Sequence, residues 1–235
     1  MPISKALSIL SILLLAGCMG QPQRDGPVKA RELSLADMAK SDIDMVAEVS
    51  VRQANQYLQD LAEKLYRRNP NQLPGPGETE GRLGRALERL AAGERPVQLG
   101  GRRAADVIAL AFADDYRGDR VAAFIIGLRD MQLDAYGSER EFFLYHSYDP
   151  QKLYYLARNL EIASWRLRHK RGAGGRLFLL SSGQDGKGVA NISFERLFGK
   201  LIALHDHFAH VVADSTNRRI KNVVQGLASA VFFPI

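Results

Sequence analysis

His205, Asp206, His207, His210 and Asp214 lie close together in the chain and carry side chains of the kinds that bind metals or move protons. Whether they act together depends on the element that holds them. At about 100° per residue, a helix here gathers Phe194, Leu197, Phe198, Leu201, Phe208 and Val212 on one apolar face. His205 falls inside that face, so it is expected to be a core histidine hydrogen-bonded to a neighbouring helix. His207, His210 and Asp214 fall on the opposite, polar face beside Arg196 and Lys200. Their spacings of three and four residues make them a candidate metal site that needs a further ligand from elsewhere. Without that ligand they are solvated surface groups. The pattern is not His-Glu-x-x-His.

Other constellations carry less. The stretch from Ser181 to Gly188 is glycine-rich and contains Gly186-Lys187, but it lacks the P-loop spacing and the hydroxyl residue after the lysine. It reads as a flexible loop, long enough to serve as a contact loop. Tyr148 and Lys152 have the Tyr-x-x-x-Lys spacing of short-chain dehydrogenases, yet no glycine-rich turn or βαβ pattern is present to hold a dinucleotide. There is no Gly-x-Ser-x-Gly elbow and no Ser-x-x-Lys pair. Asp114, Asp115 and Asp119 flank a turn and are expected to be solvated there. No cofactor is called for by any of these motifs.

Two further features carry no catalytic chemistry. Arg166, Arg168, Lys170 and Arg171, with His169 among them, concentrate positive charge at the end of a helix. Cations are favourable at a helix C-terminus, and the same cluster is suited to anionic lipid phosphates. The segment from Val223 to Ile235 has only Gln225 and Ser229 as polar side chains and is expected to be buried against the core.

The amino-terminal residues set the context. Lys5 precedes an apolar run from Ala6 to Ala16, too short to span a bilayer comfortably, which needs roughly 20 residues. It ends in Leu15-Ala16-Gly17-Cys18, and Cys18 is the only cysteine in the chain. This stretch resembles the lipobox of bacterial lipoproteins. The resemblance implies removal of residues 1–17, lipid on Cys18, and residence in the cell envelope. Met19 follows the cysteine where an Asp would retain a lipoprotein in the inner membrane, so the periplasmic face of the outer membrane is the expected site. From Gly20 to Pro27 the composition is that of a flexible tether. The expected organisation is a signal peptide (1–17), a lipidated tether (18–33) and one periplasmic domain (34–235). The mature region otherwise has the general look of Gram-negative envelope lipoproteins.

The 235-residue chain is 46% hydrophobic and 25% charged, with a net charge of +6, which suits a globular domain with a core. In an exported protein that basic balance points to the membrane surface or an envelope partner, and export argues against nucleic acid. The elements needed to position these residues are helices. Ser41-Asp42-Ile43-Asp44 reads as a helix start, and apolar spacing carries that helix to about Arg68, where Asn69-Pro70 stops it. Further helices are expected at Glu78 to Ala92, Ala104 to Asp114, Arg120 to Gln132, and Asp149-Pro150 to about Lys170. The Ala104 to Gln132 pair is apolar around much of its circumference and reads as a buried hairpin. A sixth helix is expected to about Asp214 and a seventh from about Thr216, with Leu177 to Leu180 either a short strand or a buried extended piece, no second strand being evident to pair with it. The fold class is therefore all-α, an irregular bundle of six to seven helices. Its expected role is a non-catalytic interaction or scaffolding domain. An envelope hydrolase or metal-dependent enzyme using His207, His210 and Asp214, and a lipid carrier, are the alternatives.

Overall fold

A computed structural model describes residues 41–137, 148–183 and 190–231, with side chains through residue 216. The chain divides into two units, Met1–Leu35 and Ala36–Ile235. The first, which holds Cys18 and the residues expected to form a tether, lies outside the described residues.

Six helices follow one another: α1 Asp42–Arg68, α2 Thr79–Ala91, α3 Ala104–Ala111, α4 Arg120–Ala135, α5 Pro150–His169 and α6 Ser193–Val231. Among the described residues there is no strand; an isolated antiparallel bridge joins Arg171 to Leu177. The all-α irregular bundle follows from this. None of the described helices is long and apolar enough to cross a membrane.

The start of α1 is fixed by local chemistry. Ser41 is the N-cap, accepting from the Asp44 amide, while the Asp44 carboxylate takes the Ser41 amide at 2.9 Å. This reciprocal capping box satisfies donors that the first turn leaves unpaired. Asp44 is buried and its other oxygen accepts from the Tyr148 hydroxyl at 2.9 Å, so the cap also joins α1 to the segment before α5. One face of α1 is apolar, through Ala47, Ala54, Leu58, Leu61 and Leu65, and it packs on α4 and α6. At the far end, the Asn69 carboxamide donates to Leu65 O and Leu180 O and accepts from the Leu180 amide. The expected extended piece at Leu177 to Leu180 is thus satisfied without a sheet: Leu180 is paired by the Asn69 side chain, while Leu177 bridges Arg171 and the Phe178 amide donates to Lys170 O.

The hairpin of α3 and α4 is the centre of the bundle. From Val121 to Leu128 every residue of α4 is buried, which explains why its apolar residues show no single stripe. The two limbs approach closely at Gly127, where an added Cβ would stand 2.5 Å from Ile108 Cγ1 and 2.9 Å from Ala104 O. Asp130, buried near the end of α4, takes two bonds from Arg95 Nη1 (2.8 and 3.1 Å) and one from the Ala104 amide. α5 buries Leu153, Leu156, Leu160, Ala163 and Leu167 against α6.

One expected boundary is corrected. The sixth and seventh helices are a single helix, α6, of 39 residues. Ser215 and Thr216 form no new cap: their hydroxyls donate back to Val212 O at 2.8 and 3.0 Å, which lets a helix pass through hydroxyl residues unbroken. Among the described residues the bundle therefore has six α-helices. The expected burial of Val223 to Ile235 concerns side chains outside the described residues.

Candidate functional site

A cavity of about 530 Å³ opens where the end of α1, the α2 helix, the loop after it and the turn before α4 converge. Its size is that of a small-molecule site. Tyr66, Ala86, Leu90 and Ala122 contribute buried surface to it, and Arg89, Arg95 and Arg117 bring three guanidinium groups. Asn71, Gln72 and Gln98 add carboxamides.

Asp119 and Tyr66 come together here from positions far apart in sequence. Asp119 is the N-cap of α4, its Oδ1 accepting from the Ala122 amide at 2.9 Å. Its Oδ2 accepts from the Tyr66 hydroxyl at 2.7 Å. Burial raises the Asp119 carboxyl above the usual range, opposed by the amides of Ala122 and Val121, the Tyr66 hydroxyl and the charge of Arg89. Burial also raises Tyr66, and the neighbouring carboxylate adds to it, so the phenol stays protonated. Raised pKa values in a concave site mark a functional candidate, although an N-cap aspartate held by a tyrosine also has a structural role. Gly118 belongs to the same turn: an added Cβ would collide with the Tyr116 ring and hydroxyl.

The arginines are held in different ways. Arg95 is fixed by Asp130 and donates to Arg102 O at 2.7 Å. Arg89 Nε meets Glu94 at 2.7 Å. A guanidinium has five donors, so both keep N–H groups beyond those their acids use. Arg117 is exposed and has no ion-pair partner among the described residues.

The sequence-predicted residues lie elsewhere. His205 is buried in the core, its Nδ1 3.1 Å from the Tyr136 hydroxyl, as expected of a core histidine. Burial lowers its pKa to about 4. His207, His210 and Asp214 are exposed on α6, and no group of three or more His, Cys, Asp or Glu among the described residues is placed to hold a metal ion. Asp206 is engaged in an ion pair with Arg158 of α5 at 2.6 Å. Asp114 accepts from the Ala173 amide at 3.0 Å, and Asp119, expected to be solvated, is the capping group described above. The Tyr148 hydroxyl is committed to Asp44, and Ser182 bonds Glu195; residues 184–189 of the glycine-rich stretch lie outside the described residues.

In the basic cluster, Arg168 lies 3.4 Å from Glu195 and Arg171 donates to Gly175 O. Arg166 and Lys170 have no ion-pair partner among the described residues, and Lys170 is exposed. The cavity escaped sequence reasoning because its polar residues occur singly on separate elements. The one local signal was Asp119 immediately before the α4 pattern, the position of an N-cap.

Comparison of the chain with protein-family models, curated proteins and solved structures finds no significant match.

Proposed function

We propose that this protein is an envelope lipoprotein, anchored by lipid on Cys18 to the periplasmic face of the outer membrane, with a non-catalytic helical binding domain. The observation that supports it is the cavity lined by Arg89, Arg95 and Arg117 with Tyr66 and Asp119. Its guanidinium and carboxamide donors suit a small anionic ligand, or an acidic side chain of an envelope partner, bearing carboxylate or phosphate. Tyr66 is held protonated and Asp119 already accepts a phenol and a backbone amide, so the pair serves to shape the cavity. Its lining mixes charges with apolar surface, which favours a binding domain over a carrier for a lipid chain.

Titration calorimetry with inorganic phosphate and with citrate tests this reading. One or both are expected to bind, and Arg117→Ala is expected to weaken binding about ten-fold or more, the loss of one charge-assisted contact. Absence of binding by either anion, or unchanged affinity in Arg117→Ala and Arg89→Ala alike, would remove the proposal.

A further inference from the structure

α5 turns an unusual face to solvent. Large hydrophobic side chains on its outer side are open: Trp165 is 60% exposed, Tyr155 57% and Ile162 48%. With Arg158, Asn159, Arg166 and His169 they fall within about 120° of arc at 100° per residue, opposite the Leu153–Leu167 side that packs on α6. Trp165 is not loose. Its ring stacks on His169, with centroids 5.1 Å apart and planes at 24°, and His169 Nδ1 lies 2.8 Å from Trp165 O.

Charge on this element is one-sided. Between Pro150 and Arg171 there are six lysines and arginines and a single acid, Glu161, which is paired with Arg158. Beside Tyr155 a groove of about 320 Å³ continues the apolar surface inward, floored by Ala104, Ala105, Met131, Ala135 and Leu156. A Trp and Tyr ridge flanked by Arg166 and Lys170, which have no ion-pair partner among the described residues, is the composition of an element that sits at a bilayer interface, where ring and headgroup meet. The two parts answer different portions of one lipid: cations for the phosphate, ridge and groove for the upper acyl region.

We infer that the outer face of α5 is a membrane-contact surface that lies against anionic phospholipid, with Trp165, Ile162 and Tyr155 entering the interface and Arg166 and Lys170 meeting headgroup phosphate. The inference rests on the envelope-lipoprotein reading for its setting. An anchor on Cys18 keeps the domain at the bilayer, and α5 then fixes which side of it faces the lipid.

Trp165 is the only tryptophan in the chain, so its fluorescence reports on this face alone. The experiment uses the full lipidated protein reconstituted on phosphatidylcholine vesicles with and without phosphatidylglycerol. Trp165 emission is expected to shift to the blue and to resist acrylamide quenching on the anionic vesicles, and to revert in high salt. Arg166→Glu and Lys170→Glu are expected to weaken that state by at least roughly five-fold each, at an unchanged melting temperature. Equal emission and quenching on both vesicle types overturns the inference, as does shielding of Trp165 only by an acidic protein partner. Failure to float with phosphatidylcholine would instead sink the anchor. Anionic vesicles added to the soluble protein would then still decide the role of α5.

Discussion

His205 shows how a buried titratable group ties stability to pH. Burial holds its folded-state pKa near 4, against about 6.5 in an unfolded chain. Between those values the unfolded chain binds a proton that the native protein does not, so stability is present above about pH 6.5 and is lost as pH falls toward 4. The full loss is on the order of 3 kcal/mol. Asp119 acts in the opposite sense: its raised pKa makes its contribution present below the ordinary carboxyl value and lost as pH rises through the folded one. The two are separable by substitution. His205→Gln keeps a polar partner for Tyr136 but cannot titrate, so it is expected to flatten the fall in melting temperature between pH 6.5 and 4. An unchanged slope in urea or thermal melts of His205→Gln would show that other groups carry the acid sensitivity. The sequence placed this histidine correctly because one helix face was enough to judge it. It could not place Tyr66 beside Asp119, since that pairing is set by how α1 meets α4.

At the scale of elements, what the sequence made legible was whatever is decided within a few residues. The Ser41–Asp44 capping box, the Asn69-Pro70 stop and the Asp149 cap before Pro150 each act on their own backbone, and helix bounds there agree closely with the reading. The helix start expected at about Thr216 does not occur: the Ser215 and Thr216 hydroxyls bond back to Val212 O, and the following turn continues. The Leu177 to Leu180 segment was ambiguous because its partner, Asn69, lies more than a hundred residues away. The buried hairpin of α3 and α4 was legible from its apolar residues, but its close approach at one residue, Gly127, was not. A methyl group at position 127 would collide with Ile108 and with the Ala104 carbonyl, neither of which can move without opening the buried hairpin. Gly127→Ala gains helix propensity of about 1 kcal/mol, but overpacking of this kind typically costs 1–3 kcal/mol. The expected net result is a destabilised domain, with a melting temperature lowered by a few degrees. A Gly127→Ala domain as stable as the wild type would mean that the hairpin opens without loss.

For the whole molecule, the proposed anchor and the α5 face make separable demands on membrane binding. Cys18 lies in the unit Met1–Leu35 and is the only thiol in the chain for diacylation. Burial of acyl chains contributes about 0.8 kcal/mol per methylene, and one chain alone binds only reversibly, so two or more are needed for an attachment that withstands washing. The cationic face of α5 is of another kind. Its contacts are electrostatic and interfacial, and they weaken as salt screens them within a length of about 8 Å at physiological ionic strength. The wild-type protein is therefore expected to stay with membranes through high-salt washing and to carry lipid mass on Cys18. Cys18→Ser cannot be diacylated, and the short apolar run before it does not span a bilayer. That variant is expected to be found partly with membranes at low salt, through α5, and to be released by salt. Adding Lys170→Glu to it should move the remainder into the soluble fraction even at low salt. If Cys18→Ser resists salt washing like the wild type, and no lipid is found on the wild-type cysteine, the anchor is elsewhere and the lipoprotein reading falls.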